Sequence, residues 1–521
     1  MNIFELFPHN SFRQFQKETI LEIQQYLDDE KTEYIILESP TGSGKSAIAV
    51  CLGLYFKPTF LLTSQKILQD QYTKDYSSDR ICVLKGRNNY PCKLLDGFTC
   101  EDSYCSTKQC EIKIECFYEI AKQKAILSQI ALMNYKYFLC IKNFTGVFVN
   151  RSLLICDEAH NLDEECMSFV EFSFSSFYLS KLGVTSKIPV YDKLSDYIEW
   201  LNMLLVKIKA RKIESQEKLK NKFLEDSVKT DIVKELESLI EQEQKVSNFL
   251  SSYQKVEWIF DIVTNEKLRS KSIVFKPLTI GYFAQELLFK HADKKMFMSA
   301  TILDKSSFCR TMGIDESKAK FIQVPSTFPT EIRPIFLTRS GKLGKNDIDN
   351  SLPNVIKDIN TMLEFHDNVK GLIHAHTYKI ANYIRDNVDK KFSNRIVLHD
   401  SETRTDVLKS FMSTNEPRVL VTPSMTEGID LKDDLARFVV IVKLPFLFLG
   451  DKQIKMKMEL DPEWYRWKTA LTLVQAAGRG VRHEKDSCTI YIMDSQFGYF
   501  LKQNRKFFPQ YFIDAIKSQI W

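Results

Sequence analysis

The segment that most constrains this chain is Ser39-Pro-Thr-Gly-Ser-Gly-Lys-Ser46, which begins one residue after the apolar run YIIL at 34–37. Consecutive apolar residues without polar alternation read as a strand buried on both faces. A small-residue loop after such a strand, leading into a helix, turns backbone N–H groups toward phosphate oxygens. Gly42 and Gly44 let the backbone approach closely, with Thr41 and Ser43 between them. Lys45 carries positive charge to the terminal phosphates, and the Ser46 hydroxyl suits Mg²⁺. The first glycine of the usual pattern is Ser39 here. The expectation is an α/β domain with parallel strands that takes ATP and Mg²⁺ beyond their carboxyl ends.

A second apolar run, LLIC at 153–156, ends in Asp157-Glu158-Ala159-His160. Hydrolysis of a phosphoanhydride needs one carboxylate to hold the metal and another to orient or deprotonate water. Asp157 suits the first task and Glu158 the second, so loop and quartet together indicate nucleotide hydrolysis.

TFLL at 59–62 reads as another buried strand of the same unit. A second α/β pattern follows residue 331, with strands expected at 371–375, 418–421, 438–442 and 489–493. Between them, residues 190–276 contain neither Gly nor Pro and are rich in Lys, Glu, Gln and Leu. Val228, Ile232, Leu236 and Leu239 recur at helical spacing, which predicts a helical insertion with solvated charged faces.

Five of the twelve cysteines fall between Cys92 and Cys116, as Cys92, Cys100, Cys105, Cys110 and Cys116. Four thiolates can hold either a [4Fe–4S] cluster or zinc. The spacing C-x4-C-x5-C is looser than the C-x2–4-C pairs usual for structural zinc.

In order along the chain, these motifs resemble those of superfamily 2 DNA helicases of the iron–sulfur, DinG/XPD type. Phe12-Arg13-Gln14-Phe15-Gln16 is similar to the element before the phosphate loop, which implies that Arg13 and Gln16 meet the nucleotide and Gln16 reads adenine. Thr63-Ser64-Gln65 resembles motif Ia, and Ser299-Ala300-Thr301 resembles motif III, which couples nucleotide state to DNA grip. Thr426-Glu427-Gly428-Ile429-Asp430 resembles motif V, implying nucleotide roles for Gly428 and Asp430. Gln475-Ala-Ala-Gly-Arg479-Gly-Val-Arg482 resembles motif VI, whose arginines reach the γ-phosphate from the second motor domain. Such an arginine finger contributes about 10³–10⁵ in rate, so hydrolysis would require domain closure.

Leu84-Lys-Gly-Arg-Asn-Asn-Tyr-Pro-Cys92 resembles the segment that opens the cluster domain in DinG-like helicases. The resemblance selects Cys92, Cys105, Cys110 and Cys116 as ligands of a [4Fe–4S] cluster and leaves Cys100 as the spare. It also implies DNA contacts at Thr63, Lys85, Arg87, Tyr135 and Thr426, although the aromatics of residues 134–138 suit core packing equally well.

The implied architecture is two tandem RecA-like P-loop motor domains with two insertions in the first. Motor domain 1 takes residues 1–90, 117–165 and 273–330, the cluster domain 91–116, the helical arch 166–272 and motor domain 2 residues 331–521. The implied activity is ATP-driven translocation on single-stranded DNA, 5′ to 3′, with unwinding of forked duplexes. A translocase that displaces proteins without separating strands is the alternative.

Lys+Arg is 72 against Asp+Glu 67, a net charge of +5, so nucleic-acid binding would depend on local patches and not on a global field. The most apolar run, 438–449, is interrupted by Lys443 and Pro445 and falls short of a membrane span. The start MNIFELFPHNSFRQ has no signal-peptide pattern. A cytoplasmic monomer that binds single strands without sequence preference is expected.

Overall fold

The computed structural model describes residues 2–76, 79–102, 112–184, 187–221, 223–265, 270–400, 402–423, 431, 433–481, 483 and 485–517. The first lobe opens with β1 (Tyr34–Glu38), β2 (Thr59–Thr63), β3 (Ile81–Val83), β4 (Ile130–Asn134) and β5 (Arg151–Asp157). An insertion then supplies β6 (Phe172–Ser175), β7 (Trp258–Asn265) and β8 (Ser270–Pro277). The chain returns to the first lobe with β9 (Ala292–Ser299) and β10 (Ala319–Gln323). The second lobe holds β11 (Ile335–Gly341), β12 (Gly371–His374), β13 (Ile396–Leu398), β14 (Val419–Thr422), β15 (Phe438–Ile441) and β16 (Thr489–Asp494).

The first-lobe sheet has the order β10-β1-β9-β5-β2-β4-β3, parallel throughout. Alternate residues serve its two faces. Ile35 and Leu37 pack with Ile20, Ile23, Ile48 and Leu52 of the helices Gln16–Asp28 and Lys45–Tyr55, while Ile36, Phe60 and Leu154 face the opposite cluster. Burial on both faces is why these strands read as unbroken apolar runs. Register places Glu38 opposite Ser299, Asp157 opposite Met298 and Thr63 opposite Asn134, so the strand ends form one rim. Because β9 lies between β1 and β5, Ser299–Thr301 falls between the phosphate loop and the acidic pair.

At the other end of β5, the buried Arg151 guanidinium donates to the carbonyls of Thr59 (2.9 Å), Ser128 (3.1 Å), Ala125 (2.8 Å) and Ile126 (3.1 Å). Burial lowers its pKa to about 10. Arg151→Met leaves those carbonyls unpaired and is expected to destabilise the lobe by about 3 kcal/mol. A urea midpoint equal to that of the parent would contradict this.

The insertion departs from a purely helical arch. Its helices Leu194–Leu219 and Asp226–Ser252 form a long hairpin, but β6, β8 and β7 make an antiparallel sheet at its base. Phe172 stacks on Phe275 at 4.8 Å, and Phe249 meets Trp258 edge-on at 4.9 Å. Strand β8 runs through the expected boundary at 272, and the helix Leu162–Val170 spans the one at 165. A segment free of Gly and Pro suits strands as well as helices, which is why composition alone concealed the sheet. The predicted helical face is shifted as well. Val228 is 41% exposed, whereas the predicted Leu236 and Leu239 are buried together with Thr230, Val233, Val246, Phe249 and Ser252. Gln453 Nε2 of the second lobe donates to the Pro277 carbonyl at 2.7 Å, and Lys276 pairs with Asp451 at 3.3 Å.

The second-lobe sheet, β11-β16-β15-β12-β14-β13, is also parallel throughout. Its helix Pro462–Ala477 packs back onto the first lobe, with Trp467 Nε1 donating to the Ile302 carbonyl at 2.8 Å.

Candidate functional site

The phosphate loop is pre-shaped. Gly42 and Gly44 have φ of 83° and 82°, the left-handed region that favours glycine. A Cβ on Gly44 would collide with the Gln16 side chain. Gln16 Nε2 donates to the Gly44 carbonyl at 3.2 Å, Gln16 Oε1 accepts from Arg13 N at 2.6 Å, and the Arg13 guanidinium donates to the Gly42 carbonyl. Both residues therefore brace the loop and also line the cleft beside it. Ser43 turns inward, donating to the Pro40 carbonyl and accepting from Ser39 Oγ, both at 2.7 Å. Lys45 Nζ lies on the carbonyls of Ser39 (2.8 Å) and Pro40 (3.3 Å), at the mouth of the loop.

Across the rim, Asp157 Oδ2 accepts from the Tyr72 hydroxyl at 2.9 Å and Oδ1 from Glu158 N at 3.0 Å. The Tyr72 hydroxyl also meets Ser46, so Ser46 and Asp157 converge on one point. Burial, and next the Glu158 charge, push the Asp157 carboxyl well above the usual carboxylate range. Such a group gains strongly from an added cation. For Glu158, burial acts upward but is outweighed by His160, Lys45 and Arg479, which hold it below the usual carboxylate range. Glu158 has φ 54°, a strained backbone for a residue with a side chain. Its carboxylate lies 3.3 Å from His160 Nδ1, which is 2.7 Å from Ser299 Oγ.

The segment Ser299–Thr301 joins the lobes. Ser299 Oγ accepts from Thr301 N at 3.1 Å, and Gln475 Nε2 of the second lobe donates to Thr301 Oγ1 at 3.1 Å. Glu38 clamps the same segment, accepting from the amides of Ile302 (2.6 Å) and Leu303 (2.5 Å). The result is a cleft of about 780 Å³ whose wall includes Thr41, Gly42, Gly44, Lys45 and Ser46 on one side and Gln475 and Arg479 on the other, with Asp157, Glu158 and Thr301 between them.

Several expected nucleic-acid contacts are placed otherwise. Tyr135 is 0% exposed and donates to the Asp157 carbonyl at 2.8 Å, so it supports the acidic pair and has no face for a base. Thr63 is buried, and its hydroxyl donates to the Gln65 carbonyl at 3.3 Å, which closes a turn. The aromatic and hydroxyl chemistry was legible in the sequence, but burial was not. Lys85 pairs with Asp70, and Arg87 with Glu237 of the insertion hairpin at 3.3 Å.

In the cysteine segment, Pro91 and Thr99 form an antiparallel bridge, with Cys92 N donating to the Phe98 carbonyl and Cys100 N to the Tyr90 carbonyl, both at 2.8 Å. Cys92 and Cys100 are buried, and Cys100 Sγ lies 3.6 Å from Cys116 Sγ. Buried soft donors at this spacing fit a thiophilic metal or cluster. Cys100, the residue set aside above, is thus next to one of the selected ligands. Cys105, Cys110, Thr426, Gly428, Asp430 and Arg482 lie outside the described residues.

Tyr72, His160, Glu38 and Trp467 carry no role in the sequence reading. Glu38, an acidic residue ending a buried strand beside the loop, and His160, the last residue of the acidic quartet, each left a signal that could have been used.

Two lobes that face each other over a phosphate loop, an acidic pair and an arginine define a tandem P-loop motor protein. The comparisons agree. Residues 9–187 match the family model of the type III restriction enzyme res subunit, and residues 362–514 that of the helicase C-terminal domain. The ATP-dependent DNA helicase YoaA of Haemophilus influenzae is 23% identical over 89% of this chain and 88% of its own. The ATP-dependent DNA helicase XPD of Sulfolobus acidocaldarius is 22% identical over 91% of this chain and 94% of its own. A solved XPD helicase superposes with a TM-score of 0.70 at 17% identity, covering 96% of this chain and 98% of that one. These similarities are consistent with a superfamily 2 helicase of the DinG/XPD type. Among the described residues, no helix is long and apolar enough to cross a membrane.

Proposed function

We propose that the protein is an ATP-dependent DNA helicase that moves along single-stranded DNA and opens forked duplexes. The carrying observation is the shared cleft, where Lys45, Asp157 and Glu158 of one lobe meet Arg479 of the other. Lys45 and the loop amides bind the phosphates, Glu158 orients the attacking water, and Arg479 neutralises charge that develops as the γ-phosphoryl departs. Ser46 and Asp157 would hold Mg²⁺, which supplies charge neutralisation between the terminal phosphates. Since the donors belong to different lobes, turnover is tied to lobe movement, and Ser299–Thr301 is the physical link. Cys92, Cys105, Cys110 and Cys116 would hold a [4Fe–4S] cluster that orders the segment between Tyr90 and the helix Phe117–Leu127.

Phosphate release with and without single-stranded DNA, together with unwinding of forks bearing either overhang, tests the reading. Stimulated hydrolysis and opening of the substrate with a 5′ overhang are expected, and Glu158→Gln is expected to abolish both while single-strand binding survives. Undiminished turnover in Glu158→Gln would remove the active-site assignment. Displacement of bound proteins without strand separation would turn the assignment to a translocase.

A further inference from the structure

Lys468 is 4% exposed, and its ammonium lies across the seam from the first lobe. It donates to Asp163 Oδ1 at 2.9 Å and Glu164 Oε1 at 3.2 Å. Those carboxylates open the helix Leu162–Val170, which begins four residues after Glu158. Lys468 sits in the middle of the helix Pro462–Ala477, which ends two residues before Arg479. Gln475 lies two turns further along the same helical face and bonds Thr301 at 3.1 Å, while Trp467, beside Lys468, bonds the Ile302 carbonyl at 2.8 Å. The helix that delivers Arg479 is therefore pinned to the first lobe at these three levels and at its N-terminal end, where the exposed Arg310 pairs with Asp461 (2.9 Å) and Glu463 (3.0 Å); the Lys468 level is the buried ion pair and the one in register with the helix that follows Glu158.

Asp163 is buried too, and Lys457, held over the Trp464 ring at 3.9 Å, is the second cation near it. A buried pair of this kind contributes little net stability compared with apolar replacements, but it fixes one geometry, because moving either partner away leaves a charge without compensation. We propose that Lys468, through Asp163 and Glu164, is a positioning residue that sets the closed placement of Arg479 against Glu158. The inference rests on the ATPase reading above and adds to it a residue outside the recognised motifs.

The test is a kinetic cycle on the full chain. Lys468→Met is expected to lower kcat for DNA-stimulated ATP hydrolysis about tenfold with little change in KM for ATP, because the phosphate loop is untouched. Lys468→Arg is expected to restore most of the rate. In the Arg479→Ala background, Lys468→Met is expected to change kcat by less than about twofold, since the effect it transmits is already gone. Lys468→Met combined with Asp163→Leu removes both charges together, which guards against a fold lost to one unpaired carboxylate, and is expected to keep the kcat defect. An equal loss in both Arg479 backgrounds, an unchanged kcat in folded Lys468→Met, or full recovery in the double variant overturns the proposal. A parent chain that releases no phosphate refutes the ATPase reading itself and takes the proposal with it.

Discussion

Arg479→Ala is expected to lower the rate of ATP hydrolysis by about 10³-fold or more while nucleotide affinity changes little. Arg479 lies on the second-lobe wall of the cleft, and its charge already reaches Glu158. The groups proposed to hold the resting phosphates, Lys45 and the loop amides, belong to the first lobe. A cation contributed from the opposite wall acts most strongly on charge that develops in the transition state, so its removal appears in kcat. Fluorescent-nucleotide titration and single-turnover phosphate release separate the two quantities. A large rise in nucleotide Kd with an intact kcat would assign Arg479 to ground-state binding instead.

The second large effect concerns the thiolates. Cys105→Ser and Cys116→Ser are each expected to lose bound iron, the thiolate–iron absorbance and duplex opening, with much of the ATPase retained. The cysteine segment is short, and among its described residues only Cys92 and Cys100 are buried, so crosslinking by metal would be a main source of its order. The proposed phosphate chemistry, in contrast, belongs to the sheet rim, whose core clusters include none of Cys92, Cys100 and Cys116. Cys100→Ser is the informative control, because its sulfur lies 3.6 Å from that of Cys116. It is expected to keep its iron. Iron loss there with retention in Cys105→Ser would exchange the two residues in the ligand set, and stoichiometric zinc in the parent protein would replace the cluster altogether.

The parts legible in the sequence share a physical cause. Strands such as β1, β2, β5 and β15 are buried on both faces and show as unbroken apolar runs, and the chemistry begins where each run stops. Strand β9, ADKKMFMS, carries Asp293, Lys294 and Lys295 in its first half, with Lys294 Nζ donating to the Asp29 and Thr32 carbonyls and Lys295 held over the Tyr34 ring, and β3 and β13 are short edge strands of three residues. None of these gives a periodic signal. The phosphate loop and acidic pair could be located because their chemistry is local in sequence. The bonds from Glu38 to Leu303 and from Lys468 to Asp163 join residues hundreds of positions apart, and only the folded chain brings them together. Tyr135 shows the converse: an aromatic in a suggestive motif is claimed by the interior once its hydroxyl finds the Asp157 carbonyl.

The base of the insertion has a foothold on each lobe. Its β6 strand continues from the helix after the acidic quartet, and Pro277, Lys276 and Phe260 are gripped by Gln453, Asp451 and Lys452 of the second lobe. The paired helices above it are 26 and 27 residues long, about 40 Å of stiff rod. A tilt of a few degrees at such a fulcrum becomes a sweep of ångströms further out, where Glu237 and Lys234 pair with Arg87 and Asp102, so the hairpin is a lever between the two lobes and the cysteine segment.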